Sequence, residues 1–290
     1  MKMFEILNIF FKLFFTLVYL TIREQGVKVF FMKLKKSIVI IGILLIAGII
    51  SGFVVFKNRN MLPAAVVDSP NDGEKIEYDY SKSVSECVAM EDEIYFKDAV
   101  FVGDSRTEGF MNLTHLDATF YTHIGLTVDT FFTDPIVYIS GEKVSIKEAL
   151  KKTTFKKVYI MLGINETGWQ YSELFKRKYG EIIDTIRKIN PNVLIYIESI
   201  LPVSQEISET HSYIKQEKIN EYNTLLQDLA REKEVYYIDI ASSMKNEEGF
   251  LPTDAAIDGI HLNKEYALKW LQYLKNHYIV ENTQKGDNEQ

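Results

Sequence analysis

A chain of 290 residues with 47% hydrophobic content can bury one large core or two small ones, and its net charge of −7 is unevenly spread. Nine Lys/Arg against Glu5 and Glu24 put residues 1–59 at +7, so the remaining 231 residues carry −14. An acidic body lacks the clustered basic residues whose counterion release drives nucleic-acid binding, and a single cysteine, Cys87, can form neither an internal disulfide nor a thiolate metal site.

Phe4–Ile22 is apolar and aromatic but interrupted by Glu5 and Lys12, which leaves a second membrane span, an interfacial helix or an untranslated stretch open. A start at Met32 instead of Met1 gives MKLKKSIVIIGILL, the compact charge-then-apolar layout of an export signal. Ser37–Phe56 follows as twenty residues without a charge. At 1.5 Å rise per residue this matches the ~30 Å hydrocarbon core of a bilayer and predicts a transmembrane helix. Lys33, Lys35 and Lys36 before it outnumber Lys57 and Arg59 after it, so the positive-inside rule places the N-terminus in the cytoplasm and the body outside. The run exceeds a usual signal-peptide core and lacks a small-x-small site, so it is expected to stay as an anchor.

Residues 57–90 are polar and turn-rich around Ser69-Pro70-Asn71-Asp72-Gly73 and read as a tether. The domain begins near residue 80–95, and short apolar runs then alternate with helical patterns. Strands are predicted at Ala99–Val102, Thr119–Tyr121 continuing to Ile124, Lys157–Leu162, Val193–Glu198 and Val235–Ile240. Helices are predicted at Tyr171–Ile189, ended by Asn190-Pro191, and at Ile214–Glu232 and Lys264–Tyr278. Residues 132–152 look like an insertion, a small hairpin and then a short helix. Continuous apolar strands separated by amphipathic helices predict a doubly wound, three-layer α/β/α sandwich of about five parallel strands. The expected organisation is a cytoplasmic segment 1–36, a span 37–56, a linker 57–90, a domain 91–280 and a tail 281–290.

Ligands in such folds bind beyond the carboxyl ends of the strands, so the chemistry is sought there. Gly103-Asp104-Ser105-Arg106 follows the first strand, Gly125 the second and Gly163-Ile164-Asn165-Glu166 the third, while Asp258-Gly259-Ile260-His261 precedes the last helix. Serine, glycine, asparagine and histidine in that order are the parts of a serine esterase. His115, His123, His211, His261 and His277 show no close pair at helical ligand spacing, and neither a metal nor a cofactor is expected.

Over roughly residues 95–278 this arrangement resembles the SGNH/GDSL hydrolase family, whose fold is flavodoxin-like. The resemblance implies Ser105 as nucleophile, His261 as general base and Asp258 as the carboxylate orienting it. It implies an oxyanion hole from the backbone N–H groups of Ser105 and Gly125 and the side chain of Asn165. Two positions depart from the family pattern. Arg106 stands where leucine is common, which bears on substrate class, and Glu166 stands where aspartate is common, which is expected to brace the loop. His115 and His123 are neighbours of the proposed site in sequence, and Trp169, Tyr171 and Phe175 form either an aromatic wall for a sugar ring or helix packing.

The expected function is hydrolysis of small acyl esters, O-acetyl groups on a cell-envelope glycan foremost, by a membrane-anchored extracytoplasmic domain. The alternatives are a lipid or thioester hydrolase, an O-acyltransferase, and a catalytically silent envelope binding or scaffold module.

Overall fold

The computed structural model describes residues 78–90 and 93–280. The predicted span at Ser37–Phe56, the segment before it, most of the tether and the tail from residue 281 lie outside the described residues. Among the described residues no helix is long and apolar enough to cross a membrane.

The chain enters the sheet at β1 (Ala99–Gly103), turns into α1 (Ser105–Thr114) and returns as β2 (Thr119–Thr122). A one-turn helix α2 (Thr130–Thr133) leads to a hairpin of β3 (Val137–Ile139) and β4 (Glu142–Val144), followed by α3 (Ile146–Lys151). The hairpin turn is Ser140-Gly141, both with positive φ (54° and 87°), the backbone that lets a two-residue turn follow the strand twist. Then come β5 (Lys157–Met161), α4 (Ser172–Ile189), β6 (Leu194–Glu198), α5 (Gln205–Thr210), α6 (Gln216–Lys233), β7 (Tyr236–Ile238), α7 (Ile240–Met244) and α8 (Lys264–Asn276).

Five strands form one parallel sheet in the order β2-β1-β5-β6-β7. β1 and β5 are buried along their whole length, as apolar strands covered on both faces must be. The two-residue period divides each strand between two cores. Val100, Val102, Val158, Ile160, Ile195 and Ile197 pack with the apolar faces of α3, α4 and α6. Phe101, Tyr159 and Tyr196 point the other way, toward α1, α7 and α8. The rings of these three, paired across β1, β5 and β6, stack in a ladder with centroids 4.6 and 4.5 Å apart and planes within 9°. The predicted α/β/α sandwich is therefore the observed one, and residues 132–152 are the predicted hairpin and helix.

One boundary differs. Residues 78–90, read from the sequence as the end of a tether, lie against the domain: Ser83 bridges Tyr237 in parallel, the Val84 N–H donates to the Tyr237 carbonyl at 2.8 Å, and the Cys87 N–H donates to the Asn276 carbonyl at 2.7 Å. The segment covers part of the outer edge of β7, a row of backbone groups that would otherwise be open to pairing.

Glu198 ends β6 on the same side as Tyr196 and is 1% exposed, beside the Trp270 indole. Neither carboxyl oxygen closes a hydrogen bond of good geometry among the described residues, and burial pushes the acid up to about 8 from an ordinary 4.5. The folded protein thus holds a proton that the unfolded chain releases. The stabilisation tied to that proton is complete below about pH 4.5 and is lost as pH rises to about 8. Glu198→Gln is expected to remove a slope on the order of 1 kcal/mol per pH unit over that window. Urea unfolding at pH 5 and pH 8 checks this, and equal pH dependence in the two proteins would refute it.

Candidate active site

The sheet order reverses at β1: β2 lies on one side of it and β5 on the other. The crevice at the carboxyl ends of β1 and β5 is thus the switch point at which doubly wound sheets bind ligands. Ser105 follows β1 and Asn165 follows β5.

Asp104 is the N-cap of α1, its Oδ1 accepting the Arg106 N–H at 2.9 Å, and this fixes Ser105 as the first helical residue. The first N–H groups of a helix have no partner inside it, and the Ser105 N–H has no acceptor among the described residues. Its hydroxyl lies 2.8 Å from His261 Nε2.

His261 comes from the loop before α8, and Asp258 shapes that loop. Asp258 Oδ1 accepts the N–H groups of Ile260 at 3.0 Å and His261 at 2.8 Å, while Oδ2 lies 2.6 Å from His261 Nδ1. Burial pushes the Asp258 carboxyl up, but the backbone N–H and ring of His261, with the Ile260 N–H, outweigh it and leave the group below its usual 3.8. An ionised carboxylate there requires the Nδ1–H tautomer, which leaves Nε2 as an acceptor for the serine proton.

The third block binds the second. The 3-10 turn Ile164–Glu166 presents Asn165, whose Nδ2 donates to the Leu126 carbonyl at 2.9 Å with one of its two hydrogens. Glu166 Oε1 accepts the Val128 N–H at 2.6 Å, so this side chain braces the loop after β2, and burial pushes its carboxyl up to about 8. That loop leaves the sheet beside Ser105, since Gly103 pairs with Thr122 and the His123 N–H donates to the Gly103 carbonyl at 3.3 Å. Gly125 has φ +77°, a backbone that few side chains tolerate, and its N–H has no acceptor among the described residues.

Ser105, His261 and Asp258 are thus joined in one hydrogen-bonded relay, and Gly125 and Asn165 stand on the same edge of the sheet. Of the other residues singled out in the sequence, His115 and Phe175 do not reach it. His115 is the C-cap of α1, about 15 Å along the helix from Ser105. Phe175 is fully buried and stacks on Tyr222 at 4.2 Å, so it is core and not a wall of the site, and Trp169 packs partly buried on the same core. Tyr171 and His123 are exposed. Among the described residues no group of His, Cys, Asp and Glu is placed to hold a metal. The residue that sequence reasoning underrated is Arg106, which is 3% exposed; burial pushes its guanidinium down and the Asp104 carboxyl up, each partly offset by the other's charge.

Residues 101–266, more than half of the chain, match the model of the GDSL-like lipase/acylhydrolase family. The chain belongs to this family. Its members hydrolyse esters, and the chain is an ester-hydrolysing enzyme of the GDSL-like group. None of the curated proteins matches it. Among solved structures, a protein of Streptococcus pneumonia provisionally described as a platelet activating factor is similar at 22% identity, over 63% of this chain and 84% of that one, with a TM-score of 0.51. A GDSL-like lipase of Bacteroides thetaiotaomicron (15% identity, 62% and 86% covered, TM-score 0.47) is also similar. So is a carbohydrate esterase family 3 protein of Talaromyces cellulolyticus (16% identity, 61% and 94% covered, TM-score 0.44). The first of these likenesses supports the fold of this GDSL-like domain.

Proposed function

We propose that the protein hydrolyses small acyl esters through an acyl-enzyme on Ser105, with O-acetyl groups of a cell-envelope glycan as the substrate and the span Ser37–Phe56 holding the domain outside the cytoplasm. The observation that carries the mechanism is the relay from Ser105 Oγ to His261 Nε2 at 2.8 Å and from His261 Nδ1 to Asp258 at 2.6 Å. A serine hydroxyl is a weak nucleophile until a neighbouring base takes its proton. Ser105 Oγ attacks the ester carbonyl carbon as its proton passes to Nε2, and the imidazolium then gives that proton to the departing alkoxide. Water attacks the acyl-enzyme by the same route in reverse and restores the hydroxyl.

The negative charge that develops on the carbonyl oxygen is met by the N–H groups of Ser105 and Gly125 and the second N–H of Asn165. Donors fixed in place in this way are worth about 10²–10³-fold each in turnover. The small-acyl reading is supported by the openness of the site, where the side chains of His261 and Asp258 are 45% and 53% exposed. An ester on a bulky polymer reaches such a serine more readily than one on a chain that needs a deep apolar channel. The glycan reading rests on the predicted membrane anchor and orientation.

A series of p-nitrophenyl esters tests the acyl preference. The acetate is expected to give the highest kcat/KM, falling at least tenfold by the octanoate. A rise with chain length would contradict this reading and favour a lipid acylhydrolase.

A further inference from the structure

Ser105 and His261 are 156 residues apart in the chain, on different elements, yet their reacting atoms lie 2.8 Å apart. Something must hold the two loops in register, and a continuous chain of contacts starts at the residue next to Ser105. Arg106 Nη1 donates to the Leu201 carbonyl at 2.8 Å. Leu201 opens a short strap, 201–204, beyond β6. The Val203 carbonyl of this strap accepts the Leu251 N–H at 2.9 Å, and the Ser204 N–H donates to the Gly259 carbonyl at 2.9 Å. The strap therefore grips both ends of the loop 251–259, within one residue of Asp258. Gly259 sits at φ +72°, and a Cβ there would lie 2.2 Å from Ser204 Oγ, so the contact is close-packed.

A guanidinium taken out of water is costly, and the buried Asp104 carboxyl beside Arg106 offsets only part of that cost. Arg106 Nε and Nη2 have no hydrogen-bond partner among the described residues. Besides offsetting the charge of the buried Asp104 carboxyl, the arginine binds the Leu201 carbonyl, which an apolar side chain cannot do.

We propose that Arg106 is a positioning residue for the reaction: by holding Leu201 it fixes the strap 201–204, and through the strap the loop of Asp258 and His261, relative to Ser105. The proposal rests on the reading of Ser105 and His261 as nucleophile and base. Misplacing reacting groups by about 1 Å can cost about 10²-fold in rate.

Arg106→Leu is expected to lower kcat on p-nitrophenyl acetate 10- to 100-fold, with KM changed less than threefold and fluorophosphonate labelling slowed in parallel. Arg106→Lys, whose ammonium can still reach the carbonyl, recovers most of that loss. Gly259→Ala, which breaks the same path at its far end, lowers kcat comparably, and the double variant falls short of the product of the two single effects. Circular dichroism establishes that each variant is folded. A folded Arg106→Leu protein with kcat within threefold of wild type overturns the proposal, as does a lysine variant no better than leucine. If Arg106→Leu does not fold, a folded Gly259→Ala protein with unchanged kcat overturns it. A Ser105→Ala control that keeps its activity would sink the underlying mechanism instead, whatever Arg106 does.

Discussion

Asp258→Asn is expected to lower kcat on p-nitrophenyl acetate by about 10³–10⁴-fold while the domain stays folded and KM changes little. The substitution separates the two tasks of this side chain. The asparagine carbonyl can still accept the N–H groups of Ile260 and His261, which Asp258 Oδ1 binds at 3.0 and 2.8 Å, so the loop keeps its shape. The other atom becomes an N–H donor facing Nδ1, where a carboxylate oxygen stood at 2.6 Å. The imidazole then places its proton on Nε2, the nitrogen that must accept the proton of Ser105. Steady-state kinetics with a thermal melt checks both halves of the prediction. A loss of less than tenfold would mean that the carboxylate does not set the tautomer.

Ser105→Ala is expected to reduce kcat by about 10⁴-fold or more, because no other group supplies the nucleophile. The variant should melt within a few degrees of wild type. Asp104, not Ser105, caps α1, and the hydrogen bond that the Ser105 side chain makes is to His261. An alanine at the first helical position keeps every backbone contact and loses only the hydroxyl. Activity that survives the substitution in folded protein would assign hydrolysis to another site.

How much of this was legible in the sequence follows from what each residue's neighbours demand. The strands could be read because a parallel strand covered on both faces is a continuous apolar run, as in AVFV and KVYIML. The site blocks could be read because a doubly wound sheet delivers its loops to one edge, so short polar motifs after strands share a crevice. A helix start was read after β1 but not the extent of α1: its apolar residues Phe110, Met111 and Leu113 are bunched in its second half, so no apolar pattern runs its length, and one buried face against β1 and α8 holds it in place. The strap of residues 78–90 was assigned to the tether because its contacts with Tyr237 and Asn276 are made largely by the backbone, which leaves no pattern in side chains. Arg106 and Glu198 escaped for a different reason. Charged residues at strand and helix ends are mostly exposed, and only the tertiary arrangement turns these two inward. Phe175 shows the converse, since its spacing with Tyr179, Ile182 and Ile186 on α4 already marked a core face.

The central claim is that Ser105, activated by His261, forms a covalent acyl-enzyme. Its most direct test is to react the folded protein with a fluorophosphonate and map the adduct by peptide mass spectrometry. The account predicts one adduct per chain, on the peptide containing Ser105, and none in Ser105→Ala. An adduct on another residue, or no adduct in folded wild-type protein, would contradict it.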